Sequence, residues 1–98
     1  MATFVSTIKF TEQGISTIRD TCKRAAAFKT AAKKMGVKVG DIFWTLGPFD
    51  GLIVYEAPDE ETATALMLQL CSQGNVRTQT GRAYKAAEME GILAKLSA

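Results

Sequence analysis

A chain of 98 residues (10.6 kDa), 47% hydrophobic and 22% charged with only two prolines, reads as one globular soluble domain over residues 1–98, not a disordered or fibrous chain. It has no histidine, the side chain that most often moves protons near neutral pH or ligates metals, and its two cysteines form no C-x-x-C pair. Zinc sites and most familiar hydrolase sites are therefore excluded, and the net charge is only +2.

Residues 3–10 alternate, with Phe4, Ile8 and Phe10 on one side and Val5, Thr7 and Lys9 on the other, as in a half-buried strand. Thr11-Glu12-Gln13-Gly14 is turn-like. Ile15, Ile18, Cys22, Ala25, Ala26 and Ala32 then recur on one side of a helical wheel, which predicts a long amphipathic helix up to Met35-Gly36. Lys29 falls within that apolar arc, where its stem is expected to lie along the core with the ammonium reaching water, the alternative being a charge pointed into a cavity. Residues 39–46 (VGDIFWTL) and 52–57 (LIVYEA) are rich in β-branched and aromatic residues. The link GPFDG between them predicts a hairpin. Pro58-Asp59-Glu60-Glu61 opens a second helix with Asp59 as N-cap, Ala63, Leu66, Met67 and Leu70 as its inward stripe, and Gly74 as its stop. Residues 75–84 (NVRTQTGRAY) alternate as a strand polar on both faces. Ala86, Met89, Ile92, Leu93 and Leu96 then follow at helical spacing in the tail.

The order βαββαβ plus a terminal helix predicts an α+β, ferredoxin-like fold, an antiparallel sheet with two helices on one face. The other face, carrying Phe43, Thr45, Ile53 and Tyr55 or their alternates, needs a cover, and the expected cover is a second copy. Residues 1–38 carry a net +6 and residues 39–98 a net −4. Arg19, Lys23, Arg24 and Lys34 spread around the polar side of one helix without interleaved aromatics, so nucleic acid is not the expected partner. No apolar run approaches the roughly 18 residues needed to cross a bilayer, and MATFVSTIKF lacks the order of a secretory signal; no membrane role and a cytoplasmic setting follow as expectations, with both cysteines reduced and buried.

Four segments, TEQGI (11–15), FWTLGPFD (43–50), EAPD (56–59) and GNVRT (74–78), resemble the GYD domain family in order and spacing. The resemblance implies a ferredoxin-like fold assembled as a dimeric α/β barrel, with no biochemical activity established for the family as a whole. Phe49 stands where the family usually shows tyrosine, so a phenolic proton donor there does not carry over. Gly81 stands where a larger aliphatic residue is expected, which would widen the space around it.

Candidate ligand contacts follow from residue type. Asp50 in the hairpin either accepts backbone N–H groups of the turn or acts at a barrel mouth as base or anchor. Arg77, Thr78 and Arg82 suit an anion, the alternative being arginines paired with Asp50, Glu56 or the acids at 59–61 of the same chain or its mate. Trp44 and Tyr55 are aromatic walls of a cavity or fillers of the core. The expected function is a homo-oligomer holding a small anionic or aromatic molecule, without metal or redox cofactor. The alternative is a cofactor-independent isomerase or monooxygenase, supported by fold analogy alone. Leu68, off the inward stripe of the second helix, is expected to meet the terminal helix through Met89, Ile92 and Leu93, or another subunit.

Overall fold

The computed structural model describes residues 1–97. Alternation along β1 (Ala2–Phe10) turns Phe4, Ser6 and Ile8 toward one face of the sheet and Val5, Thr7 and Lys9 toward the other. The chain continues through α1 (Glu12–Ser16), a 3-10 turn (Ile18–Asp20), α2 (Thr21–Lys34), the hairpin β2 (Lys38–Trp44) and β3 (Gly51–Ala57), then α3 (Glu60–Ser72), β4 (Val76–Ala83) and α4 (Ala86–Leu93). The strands lie in the order β2-β3-β1-β4, all pairs antiparallel, giving the ferredoxin-like α+β arrangement. The sheet is open, with β2 and β4 as edges, and one chain closes no barrel.

The core lies between the sheet and α2 and α3. Phe4, Ile8, Ile53, Tyr55 and Val76 meet Phe28 and Ala32 of α2 and Ala63, Leu66 and Met67 of α3. The Phe4 and Tyr55 rings stack with centroids 5.8 Å apart. α3 starts as its sequence dictates: Asp59 accepts from the Thr62 N–H at 2.7 Å, and the Thr62 side chain and then this N–H hold the Asp59 carboxyl below its ordinary range. It stops at Gly74, whose φ of +87° is a left-handed conformation that glycine adopts without strain.

The first helix departs from its expected form. The apolar period counted from Ile15 breaks at Thr17, where the 3-10 turn changes the direction of the chain. Ile15, Ile18, Cys22 and Ala26 are exposed; of the expected stripe Ala32 is buried and Ala25 half-buried, and Phe28, outside that stripe, is buried with Ala32. Lys29, about 100° around the helix from Phe28, is exposed and not within the buried stripe. Arg24 joins the pieces, donating to the Thr17 carbonyl (2.9 Å) and hydroxyl (3.0 Å) and to the Gly14 carbonyl (3.2 Å).

Register settles which residues face away from the helices. Ile53 and Tyr55 pair with Ser6 and Phe4 and point into the core, while Leu52 and Val54 pair with Thr7 and Val5 on the helix-free face. A bulge between Val39 and Ile42 shifts the parity of β2 and puts Phe43, opposite Leu52, on that same face. Gly81, opposite Val5, adds open space there, since a methyl group at this residue would have no atom within 4 Å. The chain is a thin slab, 54 × 31 × 18 Å, with a radius of gyration of 15.0 Å against about 12.6 Å for a compact domain of this length. α4 extends from it, and Leu68 is 67% exposed, so the expected cover of Leu68 by α4 is not formed within the chain. α4 is fastened instead through the Arg82–Glu88 and Glu56–Lys85 ion pairs.

Candidate functional site

Two sets of backbone clamps hold the ends of the sheet. At the first, Thr11 donates its N–H to the Asn75 carbonyl (3.1 Å) and its hydroxyl to the Gly74 carbonyl (2.5 Å), and Gln13 donates to the Gln73 carbonyl (3.0 Å) and the Asn75 side chain (2.9 Å). Gly14 is buried here against the Asn75 carbonyl, an approach so close that a Cβ would overlap the carbonyl oxygen. At the second, the Thr45 hydroxyl donates to the Phe49 carbonyl (2.6 Å), the Asp50 N–H donates to the Ile8 carbonyl (2.7 Å), and the Asp50 carboxylate accepts from the Phe10 N–H (2.9 Å). Asp50 therefore ties the hairpin to β1, accepting from a backbone group outside the turn in which its own residue sits. The segments 11–15, 43–50 and 74–78 are fastenings of the fold.

The six candidate contacts do not converge. Trp44 and Asp50 border a cleft between α2 and the β2–β3 hairpin, walled by Ile8, Phe28, Ile42 and Ile53. Its volume is about 60 Å³, far below the several hundred Å³ of an ordinary ligand pocket. Trp44 is tethered over it by a hydrogen bond from its indole N–H to the Thr21 hydroxyl at 2.9 Å. Tyr55 is buried, with its hydroxyl 2.9 Å from Ser6 Oγ, which lies 2.7 Å from the Thr80 hydroxyl and 3.4 Å from Met67 Sδ. Residue type alone does not single out Ser6, although its parity with Phe4 and Ile8 marks a polar residue on the inner face.

Thr78 and Arg82 line a groove between α3 and the free edge of β4, where the Thr78 hydroxyl and Cys71 Sγ are 3.4 Å apart. Arg82 donates to the Thr3 (3.0 Å) and Ala83 (2.6 Å) carbonyls and to Glu88 (3.2 Å), and its guanidinium lies 5.6 Å and 4.7 Å from the Phe4 and Tyr84 ring centroids. Its acid is Glu88 of α4 and not Asp50, Glu56 or the 59–61 cluster. Glu56 pairs instead with Lys85 at 2.8 Å. The Lys85 N–H and then Arg82 hold the Glu88 carboxyl below its ordinary range, and Lys85 does the same for Glu56, whose charge in turn raises Lys85. Arg77 lies on the helix-free face, where of the other five candidates Thr78 alone borders the same recess. Among the described residues no group of three or more Cys, Asp or Glu side chains is placed to hold a metal ion.

The sequence profile of the GYD domain matches residues 4–93. The chain belongs to the GYD domain family. This GYD domain is 32% identical over 90 residues, 91% of its length and 95% of the other's, to the glutamine synthetase and cystathionine beta-lyase binding protein of Thermus thermophilus. Among solved structures it resembles a feast or famine regulatory protein of M. tuberculosis complexed with L-methionine (TM-score 0.67, 13% identity), matching 88% of its own length but spanning only 52% of that chain. It also resembles the 5-chloro-2-hydroxyhydroquinone dehydrochlorinase of Burkholderia phenoliruptrix (TM-score 0.62, 13% identity, 90% of this chain and 98% of that one). At such identities these two structures establish the shared fold alone. No helix of the described residues is long and apolar enough to cross a membrane.

Proposed function

We propose that this GYD domain works by binding: it pairs with a second copy through its helix-free sheet face, two sheets stacking into an α/β barrel, and the assembly docks onto a partner protein. The observation that carries the reading is the uncovered face of Val5, Phe43, Leu52 and Val54 on a slab with too much surface. The accessible area is 6690 Å², against about 5,500 Å² for a folded monomer of 10.6 kDa. The surplus of about 1,200 Å² is more than the roughly 800 Å² per partner of a standard interface. Support for protein docking comes from the Thermus relative, which is named for binding two enzymes, glutamine synthetase and cystathionine beta-lyase. The engaged state of Asp50, Tyr55 and Arg82 favours binding over catalysis by those groups.

Sedimentation velocity at low micromolar concentration tests the pairing, with twice the chain mass of 10.6 kDa expected for the wild type and the single-chain mass for Val54→Lys, which places a charge at the centre of the face. A wild-type monomer refutes it. Co-sedimentation with purified glutamine synthetase from the same organism tests the docking. Wild-type protein that fails to co-migrate at tens of micromolar rejects that partner.

A further inference from the structure

The helix-free face carries a charge arrangement that the fold does not need. Lys9 of β1 and Arg77 of β4 are direct cross-strand partners, so two cations face one another in an antiparallel pair, an arrangement that opposes strand pairing. The two ion pairs among the described residues, Arg82–Glu88 and Lys85–Glu56, leave both cations without a carboxylate. They border a recess of about 770 Å³ at the hairpin end of the face, with Thr7 and Gln79 as polar neighbours and Pro48 and Phe49 of the hairpin as an apolar wall. That volume suits a small molecule. The ring of Phe49, at the position where the resemblance expects tyrosine, faces the recess without a hydroxyl that would need a partner.

We propose that this recess binds a small organic carboxylate, its anionic head bridging Lys9 and Arg77 and its apolar body lying against Pro48 and Phe49. A bridging carboxylate converts the like-charge pair into two charge-assisted contacts, with the arginine fork able to hold both oxygens. The apolar wall selects molecules with a ring or hydrocarbon body over inorganic ions. All of these contacts come from one chain, at one end of the face through which the pairing is proposed.

Titration of the ¹⁵N-labelled full chain with sodium benzoate, at ionic strength held constant with chloride, tests the proposal. Saturable amide shifts are expected at residues 7–10 and 77–79, with acetate, which has the same head and no ring, binding about tenfold more weakly. Arg77→Gln and Lys9→Gln should each weaken benzoate at least about tenfold, while the ligand-free melting temperature holds or rises as the repulsion is relieved. Unchanged benzoate affinity in both variants, or no saturable shift in the wild type, overturns the site. Loss of the sedimentation dimer in both variants without any benzoate response assigns the cations to a carboxylate of the second copy and overturns it equally. Sedimentation of the same samples separates the two proposals: a monomer that binds benzoate overturns only the dimer.

Discussion

Ser6 at the centre of β1 offers a test of how the core polar network is wired. Ser6 is 0% exposed and Tyr55 1% exposed, and the Tyr55 hydroxyl has Ser6 as its one hydrogen-bond partner among the described residues. Tyr55→Phe removes that hydroxyl, but Ser6 keeps the Thr80 hydroxyl and Met67 Sδ, so the loss should be about 1 kcal/mol, the net worth of one hydrogen bond. Ser6→Ala instead strands the Tyr55 hydroxyl in the core, costing about 1–3 kcal/mol, while Thr80, which is exposed, turns to water. Ser6→Ala should therefore lower the melting midpoint more than Tyr55→Phe, at about 4–8 °C per kcal/mol for a chain of this size. In the double variant no hydroxyl is left stranded, so its destabilisation should fall at least about 0.5 kcal/mol short of the sum of the single effects. Thermal and urea unfolding at one fixed protein concentration reads all three, the concentration mattering because dimer formation would stabilise the fold by mass action. A Ser6→Ala cost no larger than that of Tyr55→Phe, or strict additivity, would refute the wiring.

Gly14→Ala should destabilise by about 2 kcal/mol or more, because the new methyl meets a backbone carbonyl that cannot swing aside; Gly81→Ala, whose methyl meets nothing within the chain, should stay within about 0.5 kcal/mol. Equal urea midpoints for the two variants would contradict the close approach at Asn75. Acidification should free α4 before the sheet opens. Glu56 and Glu88 are held below their ordinary value of 4.5, so their bonds to Lys85 and Arg82 stabilise the docked helix above that pH and are lost as pH falls through the lowered values. Heteronuclear NOE values of α4 should drop between about pH 6 and pH 3 while those of β1 hold, and an α4 equally rigid at both would rule out this anchoring.

Local chemistry made much of the fold legible. The alternation of β1, the GPFDG hairpin, the Asp59 cap and the Gly74 stop each follow from rules acting over a few neighbouring residues, and each appears where expected. The first helix did not, because a helical period assumes a continuous axis, and the 3-10 turn at Ile18–Asp20 breaks that axis for reasons lodged in contacts to Asn75 and Arg24. Residue type by itself also marked Asp50, Tyr55 and Arg82 as groups able to bond a ligand, and the fold gives each an intrachain bond that local sequence does not show: one ties the hairpin to β1, one closes a core hydrogen bond, one fastens α4. What residue order alone determined is the set of elements and the family to which they belong. Only the tertiary structure decided which side of the sheet each strand residue faces, since one bulge in β2 inverts parity and strand pairing brings residues 68 positions apart, Lys9 and Arg77, into direct opposition.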